Sequence, residues 1–289
     1  ISSKQEKISD LIGFRSIQTK GQKIYLNNNE INFKGIAMHA EPIGIPGPAF
    51  SKKHFQKLLG AAKELNTNFV RAAHYPYTRH LSRLADEMGI MLWEEVPVYW
   101  NIDWDNPATL EIAKNQISRL VQRDQNRASV VVWSIANETP LSSSRMDFLS
   151  KLLSEIELID TSRLTTAALL SGSEEQFELL VLALASQGAK SEWVDEKERF
   201  IFQSILAKAN IPIDAHIKFS LSIDDPLGEL VDLISYNEYF GWYYVTFFAD
   251  QIMVSEGTLR KLMFEIIPDI KINSSFNKPI HISEFGAGA

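Results

Sequence analysis

The chain has 289 residues, 45% hydrophobic and 22% charged, which is enough apolar content to bury one large core or two ordinary ones. A net charge of −7 offers no basic stripe to neutralise phosphates, which argues against nucleic acid or an anionic membrane surface as partner. The absence of cysteine excludes disulfides, thiolate nucleophiles and cysteine-held metals.

Residues Ile1 to Asp10 carry neither an initiator Met nor a basic segment leading into an apolar run. They read as a fragment or processed start, and a cytoplasmic location is expected. No stretch reaches about 18 consecutive apolar residues, so no membrane span is expected. Residues 1–20 are expected as a linker or tail, with one large domain over 21–289.

The first strand is expected at Ile31 to Met38, ending at His39. A Pro-rich loop, Glu41 to Pro48, follows it, and Ser51 is placed to cap a helix whose apolar face is Phe55, Leu58, Leu59 and Ala62. The second strand, Asn68 to Ala73, delivers Arg71 and His74, and Thr78 is placed to cap a helix with the stripe Leu81, Leu84, Ala85 and Met88. The third strand, Ile90 to Val96, ends in Glu94 and Glu95. Leu110, Ala113, Ile117 and Leu120 mark the helix after it. The fourth, Ser129 to Ala136, runs into Asn137 and Glu138 and precedes the stripe Leu149, Leu152, Leu153 and Ile156.

After the fifth strand, Arg163 to Leu170, about 50 residues from Ser171 to Ser222 intervene, far more than one helix needs. Two helical stretches, near Glu174 to Gln187 and Glu192 to Asn210, make this an insertion or lid, with a packing helix pair as the simpler reading. The sixth strand, Val231 to Asn237, leads to Tyr239. The seventh, Pro279 to Phe285, delivers Glu284 into the small residues Gly286, Ala287, Gly288 and Ala289.

Strand and helix alternation fits either a doubly wound sheet or a (β/α)8 barrel. No G-x-G-x-x-G or G-x-x-x-x-G-K follows the first strand, which favours the barrel. The expected class is therefore α/β, a (β/α)8 TIM barrel with a helical insertion after strand 5, its last strand and helix lacking from these residues.

Barrel enzymes gather their working groups at the carboxyl ends of strands, and six of the seven expected strands end there in polar or ionisable residues. Carboxylates on the fourth and seventh strands suit hydrolysis of a glycosidic bond, which needs two opposed carboxyl groups. In VVVWSIANETP, Val130 to Pro140, Trp133 and its neighbours are expected to desolvate Glu138 and favour its neutral form, as a general acid requires.

WSIANE, ISEFGA, the GFR at Gly13 to Arg15, RAAHYP at Arg71 to Pro76 and NEYFGWYY at Asn237 to Tyr244 occur in the order that resembles glycoside hydrolase family 2. In pattern they are nearest to the β-glucuronidases. The resemblance spans about Ile12 to Leu170 and Leu227 to Ala289, and implies that Ile1 to about Lys20 are the tail of an upstream sandwich domain.

The resemblance also implies Glu138 as general acid/base, Glu284 as nucleophile and Asn137 as the ligand of the sugar hydroxyl beside the anomeric carbon. By the same carry-over Tyr239 hydrogen-bonds the nucleophile and Arg71 lies near it. His39, His74 and Asn237 line the pocket, with Trp242 and Tyr243 as its aromatic wall. A retaining enzyme of this kind holds its carboxyl groups about 5 to 5.5 Å apart.

The sequence departs from the glucuronidase pattern where Ala40, Glu41 and Pro42 follow His39 in place of an acidic pair. The loop EEVPVYWNI also lacks the asparagine-glutamate-threonine-histidine run of metal-dependent β-galactosidases. The histidines show no metal-ligand spacing, and paired carboxylates need no cofactor. The expected activity is exo-hydrolysis of a terminal β-linked sugar, foremost a β-glucuronide, by double displacement. The rival readings are a β-galactosidase of the same family and a truncated or engineered non-catalytic barrel scaffold. The expected partner is a carbohydrate, with homo-oligomerisation left open.

Overall fold

The computed structural model of the protein describes residues 9–170 and 174–286. Of the expected features, the start of the tail before residue 9, the start of the insertion at Ser171 and the small residues Ala287, Gly288 and Ala289 lie outside the described residues. The chain divides into two compact units: Ile1–Ala167 with Leu230–Leu233, and Ala168–Glu229 with Ile234–Ala289.

The first unit opens with an antiparallel sheet of β1 (Ile17–Lys20), β2 (Lys23–Leu26) and β3 (Asn29–Ile31). Asn27 and Asn28, at φ 50° and 67°, make the two-residue turn between β2 and β3, since both positions of such a turn need the left-handed region that Asn tolerates. The expected strand Ile31 to Met38 is therefore split: Ile31 closes β3, and only β4 (Gly35–Met38) enters the parallel sheet. The break has a local cause. Asn68 accepts from the Lys34 amide at 2.8 Å and donates to the Asn32 carbonyl at 3.0 Å, so those backbone groups bond a side chain instead of a strand.

Four strand and helix units follow: α1 (Lys52–Glu64), β5 (Phe69–Ala72), α2 (Arg79–Met88), β6 (Met91–Glu95), α3 (Pro107–Asp124), β7 (Val130–Asn137), α4 (Ser143–Glu157) and β8 (Leu164–Leu169). Ser51 caps α1 by accepting from the His54 amide, whereas Thr78 occupies the cap position of α2 without a side-chain capping bond. The expected helix stripes face inward, with Met88 and Leu110 only half-buried. All eight residues of β7 are buried, which is why its sequence is a continuous apolar run instead of an alternating one.

The second unit contains α5 (Glu174–Gly188), α6 (Glu196–Lys208), β9 (Ser220–Ser222), β10 (Leu233–Asn237), α7 (Tyr243–Ile252), α8 (Glu256–Ile266), β11 (Lys271–Asn273) and β12 (Ile280–Glu284). β9 and β11 pair as a separate two-stranded parallel ladder. The seven-stranded parallel sheet has the order β12-β10-β8-β7-β6-β5-β4, each strand beside its sequence predecessor in the sheet. Its seven strands fall where the sequence places them. Within each unit the paired strands run parallel, so their carboxyl ends lie on one side of the sheet. Among the described residues no helix is long and apolar enough to cross a membrane.

Candidate active site

In the first unit the site grows from the ends of β5, β6 and β7. Arg71 on β5 is 1% exposed, and its guanidinium lies 4.8 Å above the Trp93 ring. It donates to both carboxylate oxygens of Glu95, at 3.0 and 3.1 Å, and to Asn137 Oδ1 at 2.8 Å. His74 Nδ1 stands 2.7 Å from Glu95 Oε1, and Trp93 donates its indole N–H to Glu95 Oε2 at 2.6 Å. Burial opposes the charge of Glu95, yet the Arg71 guanidinium and the His74 contact outweigh it and hold this carboxyl below the usual range. His39 is exposed, with its ring 5.4 Å from that of His74.

Glu138 follows the last residue of β7 at φ 50°, and Trp100 in the loop after β6 has φ 56°. A left-handed conformation costs a non-glycine residue about 1–3 kcal/mol, and such outliers gather where function over-determines the backbone. Here the two are joined: Trp100 donates its indole N–H to Glu138 Oε2 at 3.1 Å. The indole beside Glu138 is therefore not Trp133, as the sequence suggests. Trp133 lies five residues back along the strand, about 16 Å at the rise of a β-strand, and its N–H donates to Asp160 at 2.9 Å.

In the second unit β10 and β12 pair in parallel, with Asn237 opposite Glu284 and an irregularity in register at Tyr236/Asn237. Tyr239 donates its hydroxyl to Glu284 Oε2 at 2.6 Å, and buried Asn237 accepts from Ser283 Oγ at 2.8 Å. Tyr243 lies edge-on to Tyr239 with ring centres 4.9 Å apart. Trp242 precedes α7 and lines an apolar cleft of about 530 Å³ with Phe240, Phe264 and Ile282. Its indole N–H is buried without a hydrogen-bond partner among the described residues.

The structure thus gathers Glu95, His74 and Asn137 around Arg71, and sets Tyr239 on Glu284 with Tyr243 packed edge-on to Tyr239. Sequence reasoning gave no role to Glu95 or Trp100. Glu95 could have been found by strand alternation, because Trp93 and Glu95 share a face. Trp100 carries no such signal, since its place depends on a loop.

The family model described as "Glycosyl hydrolases family 2, TIM barrel domain" matches residues 17–188. A β-glucuronidase of Streptococcus agalactiae is 26% identical over 302 aligned positions, covering 98% of this chain and 41% of that protein. A β-galactosidase of an Arthrobacter species is 31% identical over 148 positions, covering 48% of this chain and 14% of that protein. The structure of a Ruminococcus gnavus β-glucuronidase in complex with C6-substituted uronic isofagomine shares the fold, with a TM-score of 0.61 at 21% identity over 95% of this chain and 39% of that one. This chain spans less than half the length of each of these three. With its parallel strands in sequence order and a family match over more than half its length, the chain belongs to glycoside hydrolase family 2 and carries its TIM barrel domain.

Proposed function

We propose that this chain supplies the catalytic barrel of a retaining exo-β-glycosidase acting foremost on β-glucuronides, with Glu138 as general acid/base and Glu284 as nucleophile. The observation that carries the reading is that each carboxyl, at or just beyond the end of its strand, receives its own hydrogen-bond donor, Trp100 for Glu138 and Tyr239 for Glu284. A nucleophilic carboxylate must be aimed at the carbon it attacks, and a phenol donating at 2.6 Å fixes its orientation. In the first step Glu284 bonds the anomeric carbon while Glu138 gives its proton to the departing glycosidic oxygen. In the second, Glu138 takes a proton from water as that water's oxygen displaces Glu284.

The buried Arg71–Glu95 pair holds Asn137 one residue before Glu138, which suits Asn137 to a sugar hydroxyl next to the reacting carbon. His39, His74 and Asn237 are proposed as sugar-binding residues, and Trp242 and Tyr243 as aromatic contacts for the sugar. The glucuronide is favoured because the Streptococcus agalactiae protein named β-glucuronidase matches 98% of this chain, whereas the Arthrobacter protein named β-galactosidase matches 48%.

The test is hydrolysis of a panel of nitrophenyl β-glycosides by the full-length protein and by Glu138→Ala and Glu284→Ala. The reading predicts turnover of the glucuronide, its loss in Glu284→Ala, and rescue of that variant by azide. A folded protein inert toward glucuronide and galactoside alike would favour a scaffold role.

A further inference from the structure

The segment after β6 is not a free loop. Val96 and Val98 are buried, and the Asn137 amide donates to the Val98 carbonyl at 2.8 Å while the Trp100 amide donates to the Asn137 carbonyl at 3.0 Å. Tyr99 bridges Asn137 in parallel register, so residues 98–100 extend the sheet beside the end of β7. Beyond it the loop is braced by Trp104 donating to Asn101 and Asn106 donating to Asp103, each at 3.1 Å. Trp100 is therefore anchored through its backbone, with Tyr99 edge-on at 5.5 Å, yet its side chain is 63% exposed. The ring is thus presented to solvent from an ordered backbone, beside Tyr99, which is also exposed.

Resting on the reading of Glu138 as acid/base, we propose that Trp100 is a positioning residue for the Glu138 carboxyl and one wall of the subsite that takes the leaving group. An indole N–H donates and cannot accept. Bonded to Oε2, it favours the transferable proton on the other carboxyl oxygen and fixes the plane in which that proton meets the glycosidic oxygen. A general acid works within hydrogen-bond distance of the oxygen it protonates. An exposed ring bonded to that acid therefore flanks the departing group, and its flat face suits an aromatic or otherwise apolar aglycone.

The experiment uses the full-length protein and aryl glycosides of the sugar it turns over, graded from dinitrophenyl, which departs without protonation, to unsubstituted phenyl, which needs it. Glu138→Ala fixes the frame. If it does not lose phenyl glycosides far more than dinitrophenyl ones, the acid/base reading fails before Trp100 is at issue.

With that frame in place, Trp100→Phe keeps the ring and removes the N–H. It should raise the ratio of dinitrophenyl to phenyl kcat/KM by about tenfold, a part of what general acid catalysis supplies. Trp100→Leu removes the ring as well, and should add a rise in KM for aryl glycosides that Trp100→Phe lacks. A ratio unchanged in a folded Trp100→Phe would overturn the positioning role. Aryl KM values equal in Trp100→Phe and Trp100→Leu would overturn the subsite wall.

Discussion

Arg71 holds a guanidinium at 1% exposure, where Glu95, itself 1% exposed, meets it with both oxygens. Replacing Glu95 by Gln removes the bidentate carboxylate charge from that buried cation. The expected loss is about 3–5 kcal/mol in urea unfolding near neutral pH, with activity falling too because Asn137 loses its brace. The pH dependence has a definite sign. Glu95 is held below the usual carboxylate range, so its contribution is present above that range and disappears as pH falls through its folded value. The wild-type advantage over Glu95→Gln should accordingly shrink in acid. Glu138 and Glu284 can be proposed from the sequence because each lies in a continuous motif, WSIANE and ISEFGA. Glu95 is less legible because its partner Arg71 lies on another strand, 24 positions away. Trp100 was hidden because a hydrogen bond across 38 positions depends on where two loops meet, which no local pattern encodes.

The strands and helices obey local chemistry closely enough that all seven strands of the parallel sheet could be read from apolar runs. The antiparallel β1-β2-β3 sheet could not, since strands of three or four residues with mixed burial carry little periodicity. Where β4 meets β5 the packing is tight. A Cβ on Gly35 would stand 2.3 Å from the Phe69 carbonyl oxygen, a backbone atom that cannot swing aside. Gly35→Ala should cost about 1–3 kcal/mol or more, read from thermal or urea unfolding.

A second element-level tension lies between β6 and α3. Glu94 is buried with neither carboxyl oxygen hydrogen-bonded to a donor among the described residues, and burial together with the charge of Asp124 pushes its carboxyl well above the usual range. A raised acid favours folding below the usual carboxylate range, and that advantage is lost as pH rises. Glu94→Gln should then be neutral in mild acid and stabilising, on the order of 1 kcal/mol, in mild alkali. A variant equally destabilised at both pH values would contradict the assignment.

At the scale of the molecule, a parallel sheet in sequence order is a scaffold that many reactions share, so the fold by itself does not specify a substrate. Specificity rests on the side chains at the strand ends, and the preference for a glucuronide rests on likeness to proteins of which this chain spans less than half. The reaction class is more accessible than the sugar, because a double displacement leaves a covalent mark. Incubating the full-length protein with a β-glucuronosyl fluorosugar, fluorinated beside the anomeric carbon and bearing an activated leaving group, should trap the glycosyl ester. Peptide mass spectrometry should then find the label on Glu284. A label on any other carboxylate, or turnover of the parent glucuronide with inverted configuration and no adduct, would contradict the account.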